Sequence, residues 1–129
     1  MNPSIASLIA RITMAALFLP AGISKIAGYA GTSGYMDSQG VPGILLPLVI
    51  LVEIGGGLAL LAGFQTRLVS WGLAAFTLLA AILFHRNFGD AATGMVNQIM
   101  FFKNIAIAGG LVALSALGGG EYSVDGRRG

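Results

Sequence analysis

Four apolar runs, each long enough to cross a bilayer, constrain this chain more than any other feature. They are IASLIARITMAALFLPAGI at 5–23, ILLPLVILVEIGGGLALLAG at 44–63, LVSWGLAAFTLLAAILF at 68–84 and IMFFKNIAIAGGLVALSAL at 99–117. A helix needs about 20 residues, within a range of 17 to 25, to cross the hydrocarbon core. Hydrocarbon offers the backbone no partner, so such runs fold as helices or close into a barrel. The alternating polarity of barrel strands is missing here. The expected fold is therefore all-α, a transmembrane four-helix bundle forming a single domain over 1–129.

Composition supports this reading. The chain is 56% hydrophobic and 9% charged, against roughly 25% charge in an average soluble domain. So few charges do not cover the surface of a water-soluble fold, and the lipid membrane is the expected partner. The 20 glycines follow no Gly-X-Y period, and in apolar runs they suit closely packed helices. Cysteine is absent, so the chain brings neither disulfide nor thiol chemistry. A net charge of +2 without a basic stripe gives no reason to expect nucleic acid. The first run lacks a basic leader, and Arg11 interrupts it, so it reads as a retained helix rather than a signal peptide.

The connections set the topology. FQTR between the second and third runs makes them antiparallel neighbours, with Thr66 as the expected N-cap of the third. Pro20 is expected to kink or end the first helix. The glycine-rich link after it is too polar to span, and its stretch from Thr32 to Gln39 is expected to form a short interfacial helix, with Tyr29, Tyr35 and Met36 touching the membrane. Arg67, Arg127 and Arg128 lie on the side of the termini, whereas Lys25 and Arg86 lie on the other. Three charges against two favour cytoplasmic termini.

The informative residues are polar groups inside the apolar runs, because each costs about 2.5 to 3.5 kcal/mol at a helix centre unless it finds a partner or a wet cavity. Arg11, Glu53, Lys103 and Asn104 are of this kind; Lys25 and His85 close helix ends. Glu53 lies mid-span and has to pair, bind a donor or stay protonated. In the favoured topology Lys25, His85 and Lys103 gather at one membrane level above it, as a cationic vestibule leading to a buried carboxylate. Its candidate ligands are a quinone headgroup, a small anion or a proton path. Structural readings stand beside these. Arg11 and Glu53 differ in depth by roughly 6 Å, so a plain ion pair between them is equally expected. Lys25 and Arg67 read as interfacial anchors, and Asn104 as an interhelical hydrogen bond. Ala106, Gly109, Gly110 and Ala113 form a small-residue helix-contact surface. A lone His without acidic or thiol neighbours gives no metal motif, and no nucleophile–base arrangement is present.

These same residues carry a resemblance. Arg11, FLPAGISKIAGY at 18–29, GVPG at 40–43, LVEIGGGLALLAGFQTR at 51–67, FHRNF at 84–88, MFFKN at 100–104 and EYSVD at 121–125 make the chain resemble the DoxX family of small four-helix bacterial inner-membrane proteins, in its YqjF-like branch. The stretch from Glu53 to Arg67 is the most specific. The resemblance implies location in the inner (plasma) membrane, four spans and redox work beside a partner, since relatives include a membrane subunit of a thiosulfate–quinone oxidoreductase. It also implies that Arg11, Lys25, Glu53, Arg67, His85, Lys103 and Asn104 form the polar core. No intrinsic cofactor motif accompanies it. The leading expectation is thus a membrane subunit of an oxidoreductase system that holds a quinone or small anion at Glu53, His85, Lys103, Asn104, Lys25 and Arg11 for a redox partner protein. The rivals are a small transporter or channel working as a homo-oligomer, and a membrane scaffold without chemistry of its own.

Overall fold

The computed structural model describes residues 1–128 and consists of helices joined by short links. Helix α1 spans Pro3–Ala27, α2 Tyr29–Ser38, α3 Leu46–Ala62, α4 Thr66–Phe84, α5 Gly94–Leu117 and α6 Val124–Arg128, with one 3-10 turn at Gly43–Leu45 before α3. Helices α1, α3, α4 and α5 are long and apolar enough to cross a membrane.

Local chemistry explains most boundaries. Asn2 caps α1 by accepting from Ser4 N at 2.7 Å, and Pro3 occupies a first-turn position where no N–H is needed. Pro20 does not end α1, which continues to Ala27; inside a bundle, neighbouring groups compensate a proline that would stop an isolated helix. Gly63, with φ 72°, ends α3 in the left-handed conformation. Helix α5 begins at Gly94, five residues before the apolar run at Ile99, because Asp90 organises a turn there by accepting from Ala92 N and Thr93 N. The short interfacial helix forms at Tyr29–Ser38, but Met36 is buried rather than turned to the membrane, while Tyr29 and Tyr35 are exposed. Tyr35 stacks on Phe84 with ring centroids 5.8 Å apart, tying α2 to the end of α4.

Two antiparallel pairs, α1 with α3 and α4 with α5, make the closest contacts. Glycines set the first. A Cβ on Gly57 would lie 2.8 Å from the Leu19 side chain, and one on Gly22 would lie 2.5 Å from Ile54 Cγ1 and 3.3 Å from Glu53 Cβ. This close approach fixes the register between α1 and α3. Gly56 opens the other flank of α3 to Leu73 of α4. Phe18, Leu60, Leu73, Ala74, Ala108, Leu111 and Leu114 fill the centre. Large apolar side chains such as Leu51, Leu58, Leu68 and Ile82 point outward, as lipid-facing helices require.

The chain thus has two ends. The tail end holds the start of α1, the turn between α3 and α4, the end of α5 and residues 118–128. The loop end holds the end of α1, α2, the start of α3 and the link 85–93.

Candidate functional site

Arg11 does not pair with Glu53. The register set by Gly22 and Gly57 brings Arg11 level with the last turn of α3, where its Nη1 donates to Leu60 O and Leu61 O at 3.2 Å each and its Nη2 to Tyr122 O at 2.7 Å. Its residue exposure is 0%. The orphan carbonyls at a helix C-terminus are natural partners for a cation. Arg67 acts similarly on α5, donating to Ser115 O at 2.9 Å and to Ala116 O. It therefore clamps a helix end while remaining exposed.

The polar tail is built into this end. Ser7 Oγ donates to Gly118 O and Gly119 O, and Glu121 N donates to Ser4 Oγ at 3.1 Å. Asp125 accepts from Gln65 N and Thr66 N, both at 2.8 Å. The cap of α4 therefore comes from Asp125 and not from Thr66. Gln65 turns into α4 with φ 48°, and the Thr66 hydroxyl is buried without a hydrogen bond. A carboxylate across the first amides of a helix is a favourable cap. Sequence reasoning missed this role because the capping side chain lies some 60 residues from the helix it caps; the acid of the polar EYSVD stretch was the available signal.

The loop end differs. Lys25 Nζ lies 2.8 Å from Glu53 Oε1, the one ion pair found among the described residues. Glu53 is 6% exposed, while the Lys25 side chain is 28% exposed. The contact lacks hydrogen-bond geometry, leaving Glu53 Oε1 buried without a directed donor. Lys25, weighed as an interfacial anchor, is thus the counter-charge of Glu53: it stands in the last turn of α1 and reaches down to it.

The expected ring of bases divides. Lys103 is exposed on the outside of α5, and its Nζ lies 3.2 Å from Met100 Sδ. Adjacent positions on a helix face directions about 100° apart, so burial of Asn104 turns Lys103 outward. Asn104 Nδ2 donates to Thr77 O at 3.2 Å and ties α5 to α4. His85 is half-buried at the end of α4. Burial, together with the nearby charge of Lys103, moves its pKa below the usual histidine value, against an opposing hydrogen bond with Asn97. Among the described residues no hydrogen bond or ion pair joins His85 or Lys103 to Glu53 or Lys25. The exposed face of α5 carries Ala106, Gly109 and Ala113 of the small-residue surface, whereas Gly110 meets Met14 of α1.

Two open cavities, of about 510 and 360 Å³, lie at the tail end. The larger is lined by residues including Thr66, Arg67, Gly119, Glu121 and Asp125. Neither borders Glu53 or Lys25. No group of metal-ligating side chains occurs among the described residues.

The DoxX family model matches residues 6–86, well over half of the chain. This chain belongs to the DoxX family. It is 55% identical over 118 residues to the inner membrane protein YqjF of Escherichia coli, covering 92% of this chain and 88% of that one. Identity to the inner membrane protein YphA of Escherichia coli is 36% over 125 residues, covering 93% and 88%. A putative oxidoreductase of Bacillus subtilis, CatD, is 34% identical over 85 residues, covering 64% and 63%. No solved structure matches the chain. With its four spans, this member of the DoxX family is a multi-pass inner-membrane protein.

Proposed function

We propose that this protein is a membrane subunit of an oxidoreductase system and that the Lys25–Glu53 pair holds the headgroup of a quinone for a partner protein carrying the redox centre. One observation carries the reading: Glu53 Oε1 is buried with a cation 2.8 Å away and no directed hydrogen bond. Such a carboxylate keeps acceptor capacity, and the ammonium of a partly exposed lysine beside it keeps donors. A quinone approaches from the lipid side, where its tail already resides, and meets Lys25 first. The ammonium donates to a carbonyl oxygen; as the partner delivers two electrons to the quinone, a protonated Glu53 passes one proton to its oxygen, water supplies the second, and the quinol leaves while Glu53 is reprotonated from the aqueous side. Apolar walls with a few polar groups suit such a ligand. The similarity to a putative oxidoreductase supports the reaction class. The arginines at the tail end support cytoplasmic termini.

Binding of a short-chain ubiquinone to the purified protein tests the reading. Glu53→Gln and Lys25→Met are each expected to weaken binding about tenfold, as loss of a charged hydrogen-bond partner does. Equal affinity in the wild type and both variants, or no binding to any, overturns it.

A further inference from the structure

We propose that the loop end carries a binding site for the phosphate of an anionic phospholipid, formed by Lys103 and Arg86 with His85 beside them. The site lies on the α4–α5 flank and stands apart from the Lys25–Glu53 pair, which lies between α1 and α3.

The link 85–93 is folded against the first turns of α5. Asn97 Nδ2 donates to Asn87 O at 2.9 Å and reaches Thr93 Oγ1 at 3.4 Å. The ring of Phe88 meets Phe101 edge-on at 5.4 Å and Phe102 at 6.2 Å. His85 and Arg86 immediately precede this aromatic wedge in the chain, Lys103 follows Phe102 on α5, and the charge of Lys103 is felt at His85.

Their charges are not answered within the protein. Among the described residues neither Lys103 nor Arg86 pairs with a carboxylate. The polar contact of the Lys103 ammonium is Met100 Sδ, a weak acceptor. Asp90, the acid of this link, faces its own backbone through Ala92 N and Thr93 N, and those bonds hold its pKa below the usual carboxylate value. His85 loses proton affinity through burial and the charge of Lys103, so it offers a neutral ring N–H beside the two cations.

The surroundings select a lipid over a dissolved anion. Ile99 is 61% exposed and Phe102 54% exposed, so Lys103 stands among apolar side chains suited to acyl chains. Helix α5 has 24 residues, about 36 Å of rise, and exceeds a core of about 30 Å. Its start therefore projects, and a lysine nine residues along can snorkel its ammonium to headgroup level. Charge-assisted hydrogen bonds from Lys and Arg suit a phosphodiester.

Native mass spectrometry of the purified full chain, offered an equal mixture of phosphatidylglycerol and phosphatidylcholine, tests this. The wild type is expected to retain phosphatidylglycerol preferentially, with about a fivefold contribution from each cation. The variant carrying Lys103→Gln and Arg86→Gln is expected to retain both lipids equally, while Arg127→Gln, at the opposite end, leaves the preference intact. If the double variant does not fold, Lys103→Gln alone reads out as a partial loss and Lys103→Arg as retention. Persistence of the full preference without these cations overturns the proposal. So does inorganic phosphate raising the melting temperature as much as phosphatidylglycerol, an effect that would assign the site to a free anion.

Discussion

At the tail end, Arg11 is shut away from solvent and each of its terminal nitrogens donates to backbone carbonyls. At the loop end, Glu53 is nearly as buried, yet it meets a single, partly exposed lysine in a contact without hydrogen-bond geometry. Both are charges placed in an apolar bundle, and both resemble functional residues in the sequence. The contrast teaches that burial of a charge does not by itself mark a site. A charge whose hydrogen-bonding capacity is used within the protein holds the fold together. One with capacity left over is the candidate for the ligand role proposed for Glu53.

The largest effect expected from testing this contrast is at Arg11. Arg11→Met leaves the carbonyls of Leu60, Leu61 and Tyr122 without their donor and frees the tail. A loss of about 3 kcal/mol or more is expected, read as thermal unfolding in detergent. Arg11→Lys is expected to restore only part of it, since an ammonium lacks the planar fork that reaches these carbonyls. Glu53→Gln should cost less than Arg11→Met, because Lys25 can turn toward its exposed side, while quinone binding falls. An equal stability loss at both positions, with binding intact, would make both charges structural and end the distinction.

Gly22→Ala comes next. Its Cβ would press on Ile54 Cγ1 at 2.5 Å, and overpacking of this kind costs about 1–3 kcal/mol. Because it also pushes against Glu53 Cβ, it should weaken ligand binding at the loop end and leave tail-end protection unchanged. Asp125→Ala removes the cap of α4 and is expected to cost about 1 kcal/mol, with faster amide exchange at Gln65 and Thr66 and no change in quinone affinity.

The smallest effect concerns pH. His85 has a lower pKa in the folded chain than its unfolded value of about 6.5, so the unfolded chain binds its proton more readily. That contribution to stability is complete above the unfolded pKa and is lost as pH falls through the folded one. A shallow decline of melting temperature on acidification is expected, and His85→Asn should flatten it.

The four spans were legible because hydrophobic length and the absence of charge are local properties, and every backbone group in a lipid-embedded helix is satisfied locally. The candidate polar residues were legible for the same reason: Arg11, Glu53, Lys103 and Asn104 each interrupt an apolar run. Their partners were not. Arg11 and Glu53 looked close enough in depth to pair, yet Gly22 and Gly57 lock α1 against α3 in a register that brings Arg11 to the end of α3 and Lys25 to Glu53. Burial of Asn104 against Thr77 turned Lys103 out of the expected vestibule. Thr66 lost its capping role to Asp125 for a similar reason, since the tail folds back across the bundle end.

By itself, then, the order of amino acids determined that this chain lives in a membrane, the approximate place of its four spans and which residues are too costly to leave unpartnered. Depth along a single helix follows from 1.5 Å of rise per residue and needs no tertiary knowledge. Only the tertiary structure decided which costly group meets which, because pairing depends on the relative slide and rotation of helices. Those are set by close glycine contacts and by a C-terminal segment more than 100 residues away from the serine and arginine it binds.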